Sequence, residues 1–218
     1  VVVAMVFLPV LKIGGMQFFR TESFDLLGDI LPRAAEAAQQ ISLLYLGLTA
    51  ACMIAYSAAG MNAFDALCHA MTTVSTGGLA NYDDSFGAFG AGAQYVAIVF
   101  MMLAALPFIA LVQFTRGNPR PMWRDAQIRG FVGIIATVAA VLTLFLLLQT
   151  DRSLEPALRS ALFNLVSAMT GTGYASEDYS TWGSFPQAIF FLVMLIGGCA
   201  GSTACSAKVV RYQILIAA

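Results

Sequence analysis

Three apolar stretches, residues 41–59, 93–114 and 130–149, are each long enough to cross a lipid bilayer as a helix. A spanning helix needs about 20 mostly apolar residues, because the hydrocarbon core is about 30 Å thick. The composition agrees, since 59% of the 218 residues are hydrophobic and only 11% are charged. A soluble domain carries about 25% charged residues. The sequence therefore predicts an all-α membrane protein.

A fourth apolar stretch begins at Gln187 and ends in a cluster of small residues, Gly-Gly-Cys-Ala-Gly-Ser, at positions 197–202. Glycine in a helix interior costs about 1 kcal/mol relative to alanine, so we expect the helix to break in mid-membrane. Backbone outside a helix is tolerated at that depth only where protein or water surrounds it. Pro107 predicts a kink in the second stretch.

Two predicted helices, residues 62–73 and 154–168, lie between these spans and are too short to cross. A helix of about 13 residues is only about 20 Å long. Each is followed by a loop rich in glycine, threonine and serine, so each pair of helix and loop is predicted to enter the membrane and return. The order of span, short helix, glycine loop and span occurs twice, with Gly78 and Gly173 in matching positions. Such internal repeats are typical of transport proteins.

These elements divide the chain into four parts. Residues 1–40 are expected to hold the end of a preceding transmembrane helix and a cytoplasmic connection, and residues 41–114 form the first repeat. Residues 115–129 form a basic cytoplasmic loop, and residues 130–218 form the second repeat, whose last helix is broken. Because both ends of the chain are apolar, we expect it to be a fragment that begins inside a membrane helix.

Basic residues give the expected orientation, because cytoplasmic segments are enriched in lysine and arginine. With the glycine loops outside, only Arg152 and Arg159 of the 11 basic residues face outward. The outer segments instead collect acidic residues, which raise the local concentration of cations. They are Asp65, Asp83, Asp84, Asp151, Glu155, Glu177 and Asp178.

The two glycine loops are the candidate site for a cation. A cation that crosses a bilayer must exchange its water shell for protein oxygens, and glycine lets successive carbonyls turn toward one axis. The short helices point their partly negative C-terminal ends into the membrane, which favours a cation over an anion. No carboxylate lies within residues 72–79 or 168–174. Neutral oxygens suit a weakly hydrated ion such as K⁺ better than Ca²⁺, which favours carboxylates.

Four motifs resemble those of a known family. They are Ser-Thr-Gly-Gly-Leu at 75–79, Thr-Gly-Thr-Gly-Tyr at 170–174, Gly-Gly-Met-Gln-Phe-Phe-Arg at 14–20 and Gly-Gly-Cys-Ala-Gly-Ser-Thr-Ala at 197–204. The chain is identified as a member of the Trk/Ktr superfamily of potassium uptake proteins, most similar to its TrkH branch. Family members have four span–pore helix–span repeats around one pore, and this chain is expected to supply the second and third.

The resemblance implies that K⁺ is the transported ion and that the filter has one constriction glycine per repeat, Gly78 and Gly173. It also implies a mid-membrane loop that gates the flow of ions. The other filter residues would be Val74, Ser75, Thr76 and Gly77 in the first loop and Met169, Thr170, Gly171 and Thr172 in the second. The gating residues would be Gly197, Gly198, Gly201 and Ser202, followed by the basic residue Lys208.

The same resemblance implies a homodimer in the bacterial inner membrane, in contact with lipid and with a nucleotide-binding cytoplasmic regulator of the TrkA type. No enzyme activity and no nucleic acid partner are expected, because the sequence holds no nucleophile–base pair, metal-ligand cluster or P-loop. K⁺ is expected as cargo, without a further cofactor.

Two features depart from the family pattern. Gly171 stands where threonine is more usual, which would loosen selectivity toward Na⁺, and residues 204–208 carry fewer glycines than the usual gate. Three alternatives stay open: a Na⁺-permeable relative, a symporter coupled to Na⁺ or protons, and a non-conducting protein whose loops hold a partner or lipid. His69, the only histidine, is either a pH sensor or a packed helix residue.

Overall fold

The structure, a computed structural model, describes residues 34–217. Within that range the chain forms nine α-helices and two 3₁₀ turns and contains no strand, which agrees with the predicted all-α class. The motif at 14–20 and most of the predicted segment 1–40 lie outside the described residues. The helices are α1 Ala34–Ala58, α2 Ala63–Val74, α3 Ala91–Ala104, α4 Phe108–Thr115, α5 Arg120–Arg124, α6 Ala126–Gln149, α7 Leu154–Thr170, α8 Ser184–Met194 and α9 Val209–Ala217.

Two helices, α1 and α6, have the length and apolar composition needed to cross a membrane, over Ala38–Ala58 and Ala126–Gln149. Helix α1 begins before the predicted position 41, because the alanine-rich segment ahead of it has high helix propensity. Leu46 is 64% exposed on α1 and Leu148 is 75% exposed on α6. Apolar side chains on the outside of two long helices are suited to lipid.

The two short helices of the sequence prediction are α2, with 12 residues, and α7, with 17 residues. At about 1.5 Å per residue both are shorter than the hydrocarbon core. Asn62 caps α2, since its side-chain oxygen accepts a hydrogen bond from the backbone N–H of Asp65 at 2.8 Å. Helix α7 extends beyond its predicted end at residue 168 and includes Met169 and Thr170.

The predicted second span, residues 93–114, is interrupted next to Pro107, and the break is larger than the expected kink. Helices α3 and α4 meet at 102°. Pro107 has no N–H to continue the helical ladder. The carbonyls of Ala104 and Ala105 instead accept hydrogen bonds from the backbone N–H groups of Thr203 at 3.2 Å and Cys199 at 2.9 Å. A distant segment therefore satisfies the broken helix end.

A second interruption separates α8 from α9. The apolar stretch that begins at Gln187 is helical to Met194, and the chain returns to a helix at Val209. We call the residues between, 195–208, the intramembrane loop. Its two ends lie side by side, because the Gly197 N–H donates to the Ala207 carbonyl at 2.8 Å.

Helix α7 is central in the packing, in contact with α3, α6 and α8, while α1 packs against α2 and α3. Phe86, from the 3₁₀ turn Ser85–Ala88, joins the two repeats. Its ring centroid lies 4.5 Å from that of Tyr174 and 5.2 Å from that of Phe163. Aromatic pairs at these separations contribute about 0.5–1.5 kcal/mol beyond their buried area. This contact holds the connection after the first loop against the second repeat.

Candidate functional site

The two glycine loops lie directly against each other. A Cβ atom built on Gly78 would stand 1.7 Å from the carbonyl oxygen of Thr172, far inside van der Waals contact. Gly78 also has a φ of +68°, a left-handed conformation that other residues adopt at a cost. Both observations require glycine at position 78. The structure thus brings the predicted filter segments of both repeats to one place.

The first loop turns sharply at the end of α2. Val74 is the last helical residue, and Ser75 follows as the C-cap. The Gly77 N–H donates to the Thr72 carbonyl at 2.7 Å, which folds the loop back on the last helical turn. Thr76 has a φ of 52°, an uncommon conformation for a threonine that marks local strain. Such strain is typical of functional backbone.

The second loop is held by side chains of α7. Thr170 and Thr172 share a hydrogen bond between their hydroxyls at 2.7 Å, and the Ser167 hydroxyl donates to the Tyr174 carbonyl at 2.7 Å. Met169 is part of α7 and fully buried. The predicted filter residues Met169 and Thr170 therefore belong to the helix end, and only residues 171–173 form the loop.

The loop carbonyls fall into two groups. The carbonyls of Val74, Ser75 and Thr170 accept hydrogen bonds from the Thr203 hydroxyl, the Thr76 hydroxyl and the Cys205 N–H, at 3.0, 2.7 and 3.0 Å. The carbonyls of the other seven predicted filter residues accept none within residues 34–217. They are those of Thr76, Gly77, Gly78, Met169, Gly171, Thr172 and Gly173.

A buried cluster of hydroxyls stands behind the loops. The Tyr174 hydroxyl contacts the Thr72 hydroxyl and lies 3.4 Å from that of Thr73. Thr73 is also 2.8 Å from the Tyr56 hydroxyl, and Thr72 donates to the Leu79 carbonyl at 3.0 Å. Each such bond contributes about 0.5–1.5 kcal/mol. The cluster ties both loops to helix α1.

His69 is packed inside this region. Its ring is fully buried and stands edge-on to Phe86 and Phe89, at centroid separations of 5.4 and 5.0 Å. Its Nδ1 lies 2.8 Å from the Asp65 carbonyl oxygen. These contacts favour the packed helix residue over the pH sensor among the two interpretations of the sequence.

Four acidic side chains share a cavity in the connections that follow the two glycine loops. They are Asp83, Asp84, Glu177 and Asp178, and the cavity has a volume of about 610 Å³. The hydroxyl and backbone N–H of Ser180 donate to Asp178 at 2.6 and 2.9 Å and lower the pKa of its carboxyl below the usual range. Asp178 therefore stays negatively charged well below neutral pH.

A further carboxylate, Asp65, lies in the first turn of α2. The Asn81 amide is the main cause that lowers the pKa of Asp65, with help from the Tyr82 hydroxyl and the Asn62 amide. Their donors lie 2.7, 2.8 and 2.6 Å from the Asp65 oxygens. A negative charge near a helix N-terminus is also stabilised by the helix dipole. Asp65 thus fixes the connection after the first loop to the start of α2.

The intramembrane loop contacts the C-terminal ends of both short helices, α2 and α7. The Thr203 hydroxyl donates to the Val74 carbonyl of α2 at 3.0 Å, and the Cys205 N–H donates to the Thr170 carbonyl of α7 at 3.0 Å. Cys205 also packs against Gly171, where an added Cβ would stand 2.7 Å from the Cys205 Cβ. The predicted gate therefore lies beside both predicted filter loops.

Gly197 and Gly198 let the intramembrane loop fold tightly on itself. A Cβ on Gly197 would stand 2.0 Å from the Cys205 carbonyl oxygen. A Cβ on Gly198 would stand 2.7 Å from the Ala204 Cβ and 2.9 Å from the Ala105 carbonyl oxygen. No larger residue fits either position without moving the loop.

The other predicted gating residues hold the loop to itself and to α4. The Gly201 carbonyl accepts from the Phe108 N–H at 3.0 Å, and the Ser202 hydroxyl donates to the Cys199 carbonyl at 2.7 Å. The Lys208 ammonium donates to the Ala204 carbonyl. All five predicted gating residues thus lie in one connected loop.

The sequence profile of the TrkH family, described as a cation transport protein, matches residues 1–218. The chain belongs to the TrkH family. The family resemblance inferred from the sequence motifs is confirmed.

Curated relatives cover nearly the whole chain. It is 39% identical to the Trk system potassium uptake protein TrkI of Halomonas elongata over 216 residues, and this aligned region covers 98% of this chain and 44% of that relative. It is 37% identical over 224 residues to the Trk system potassium uptake protein TrkH of Vibrio parahaemolyticus, which covers 99% of this chain and 46% of that relative. The chain thus spans less than half the length of these TrkH-family relatives.

The fold agrees with a solved member of the TrkH family. The crystal structure of the potassium transporter TrkH from Vibrio parahaemolyticus matches with a TM-score of 0.81 and 34% identity, over 99% of this chain and 44% of that chain. A helical membrane transporter fold is therefore shown for this TrkH-family chain.

Sequence reasoning missed several residues that build the site in this TrkH-family chain. Thr203 and Cys205 connect the intramembrane loop to the pore helices, although only Thr203 belongs to a quoted motif. Gln127 is buried in α6, and its side-chain oxygen accepts from the Ala200 N–H at 3.0 Å. A polar residue at the start of an apolar helix is the only signal that the sequence offered for Gln127.

Proposed function

We propose that this chain forms part of the K⁺ path of a Trk-type potassium uptake protein. The observation that carries the proposal is the contact of Gly78 with the Thr172 carbonyl, which joins two re-entrant loops at one point. Two curated relatives that cover nearly the whole chain are named potassium uptake proteins. The proposed ion ligands lie among the ten filter residues and are carbonyls that accept no hydrogen bond in the structure. K⁺ is proposed as cargo, and no enzymatic activity is proposed.

The proposed path has three parts. The carboxylates of the acidic cavity, those of Asp83, Asp84, Glu177 and Asp178, attract cations from the medium. The free carbonyls of Thr76, Gly77, Gly171 and Thr172 then replace water around the ion, as neutral carbonyl oxygens do in K⁺-selective filters. The intramembrane loop, with Gly197, Gly198, Gly201, Ser202 and Lys208, controls exit from the filter.

The distribution of basic residues and the membership of the TrkH family support a proposal for the membrane, the orientation and the partners of the chain. The chain lies in a bacterial inner membrane, in contact with lipid, with the filter loops outside and residues 115–129 in the cytoplasm. The complete protein is a homodimer that works with a nucleotide-binding regulator of the TrkA type. Residues 41–114 and 130–218 are its second and third repeats, and further sequence supplies the other two parts of the filter.

Ion flux through the full-length protein tests this function. Purified protein in lipid vesicles is expected to pass K⁺ at least about tenfold faster than Na⁺, a difference of about 1.4 kcal/mol between the two ions. The Gly133→Ala protein is a matched control for glycine substitutions in the loops, because Gly133 lies on α6 with nothing within 4 Å of an added Cβ.

Other results would contradict the proposal in distinct ways. Equal flux of both ions indicates the Na⁺-permeable alternative, for which the glycine at position 171 is the motivating observation. No flux of either ion, from protein that elutes as a folded species, indicates a non-conducting membrane protein. K⁺ flux that drives proton or Na⁺ movement in the vesicles would leave the K⁺ path in place and would identify the transport as symport.

A further inference from the structure

Thr203 occupies a junction between three parts of the molecule. Its hydroxyl lies 3.0 Å from the Val74 carbonyl at the end of α2 and 3.0 Å from the Ala104 carbonyl at the end of α3. Its own carbonyl accepts from the Thr76 hydroxyl at 2.9 Å. One residue of the intramembrane loop therefore contacts both the first filter loop and the broken end of α3.

The hydroxyl of Thr203 has one hydrogen and two acceptors. The Ala104 carbonyl also receives the Thr203 N–H at 3.2 Å, so it keeps a donor when the hydroxyl turns to Val74. Within the described range, the Val74 carbonyl has only the Thr203 hydroxyl as donor. The state of the Val74 carbonyl thus depends on the position of the intramembrane loop.

The Thr76 hydroxyl is shared in a similar way. It lies 2.7 Å from the Ser75 carbonyl and 2.9 Å from the Thr203 carbonyl. Any movement of the intramembrane loop away from α2 breaks both the bond that the Thr203 hydroxyl donates to the Val74 carbonyl and the bond that the Thr203 carbonyl accepts from the Thr76 hydroxyl. Two residues of the first filter loop then change their partners together.

The second filter loop is attached differently. The Cys205 N–H donates to the Thr170 carbonyl, a bond between backbone atoms. A side-chain substitution at Thr203 removes the bond to the Val74 carbonyl, one at Thr76 removes the bond to the Thr203 carbonyl, and both leave the Cys205–Thr170 bond in place. The two attachments can therefore be separated by mutation.

We propose that Thr203 is a positioning residue that couples the intramembrane loop to the first filter loop. With the loop in this position, Thr203 holds the Val74 carbonyl and receives Thr76, and the filter keeps the geometry that selects K⁺. When the loop moves, both bonds break and the ion preference of the filter changes with it. This inference rests on the proposed function, because it assigns a regulation to that same site.

The test compares three variants of the full-length protein in lipid vesicles. Thr203→Val keeps the branched shape and removes the hydroxyl, and Thr203→Ser keeps the hydroxyl. Thr137→Val is the matched control, because the Thr137 hydroxyl on α6 bonds only within its own helix, to the Gly133 carbonyl at 2.9 Å. The readouts are the basal flux of K⁺ and the ratio of K⁺ flux to Na⁺ flux.

Thr203→Val loses the hydrogen bond from the Thr203 hydroxyl to the Val74 carbonyl. We expect this loss to raise the basal K⁺ flux and to lower the K⁺/Na⁺ flux ratio about three- to tenfold. Thr203→Ser is expected to restore both values. Thr76→Val, which keeps the Thr76 carbonyl and removes the second bond, is expected to lower the ratio in the same direction. It provides a separate test if Thr203→Val does not fold.

Two results would overturn the coupling. One is a Thr203→Val or Thr76→Val protein that keeps the wild-type K⁺/Na⁺ ratio, since the loop would then obstruct the path without affecting the filter. The other is a Thr203→Ser protein as altered as Thr203→Val, since the hydroxyl would then not be the cause. Failure of the proposed function itself is seen in the wild-type protein, which would show no selective K⁺ flux.

Discussion

Replacing Gly78 with alanine in the full-length protein is expected to abolish K⁺ uptake. The new Cβ would stand 1.7 Å from the Thr172 carbonyl oxygen, which is backbone and cannot turn aside like a side chain. The φ of +68° at Gly78 adds strain, about 1–3 kcal/mol for a residue other than glycine. Relief of the clash must move the Thr172 carbonyl, a proposed ion ligand. Growth and K⁺ uptake in a potassium-starved strain measure the loss.

The control for Gly78→Ala is Gly133→Ala, which makes the same chemical change on helix α6 in open space. It is expected to keep wild-type uptake and to gain about 0.4–1 kcal/mol of stability. Membrane expression of both variants must be equal. Wild-type uptake by a well-expressed Gly78→Ala protein would show that residues 78 and 172 do not line the ion path.

Replacing Gly197 with alanine is expected to act in the opposite direction and raise the basal K⁺ flux. The added Cβ would stand 2.0 Å from the Cys205 carbonyl oxygen, so the intramembrane loop cannot keep its folded position. Overpacking costs about 1–3 kcal/mol, and about 1.4 kcal/mol shifts a two-state equilibrium about tenfold. Flux in lipid vesicles without any regulator is the measurement.

The contrast between the two glycines is the informative part of this experiment. Both changes add one methyl group at a tight backbone contact, yet one alters the filter and the other displaces the gate. Gly197→Ala protein must elute and melt as a folded species for the comparison to hold. Reduced flux from such folded protein would show that the loop is needed to form the path and does not close it.

Much of the fold could be predicted from the sequence because its elements depend on local patterns. Hydropathy located α1 and α6, and Asn62 marked the start of α2 through its capping side chain. Length alone separated the short helices from the spans. The small residues at 197–202 pointed to the interruption between α8 and α9, since glycine weakens a helix wherever it occurs.

The break between α3 and α4 could not be predicted because its cause is distant in sequence. Pro107 signalled a kink, yet a turn of 102° requires new partners for the freed carbonyls. Thr203 and Cys199 supply them, almost one hundred positions later. Local propensity contains no information about such partners.

The contact between the two filter loops was also beyond the sequence. The repeat matches Gly78 with Gly173, and both have a left-handed φ, of +68° and +86°. Their surroundings differ, because an added Cβ on Gly78 would stand 1.7 Å from the Thr172 carbonyl oxygen, whereas one on Gly173 would meet nothing within 4 Å. Helix α7 also continues one repeat position further than α2, to Thr170, whereas α2 ends at Val74. Helix ends are set by capping and by neighbours, and a sequence pattern locates them only approximately.

The most direct test of the account locates the ion itself. Crystals of the full-length protein are soaked in Rb⁺, a K⁺ substitute with strong anomalous scattering, and the anomalous peaks show where cations bind. We expect an anomalous peak in contact with free carbonyls of both loops, including those of Thr76, Gly77, Gly171 and Thr172. Rb⁺ peaks elsewhere in the protein, with none between Gly78 and Gly173, would contradict it.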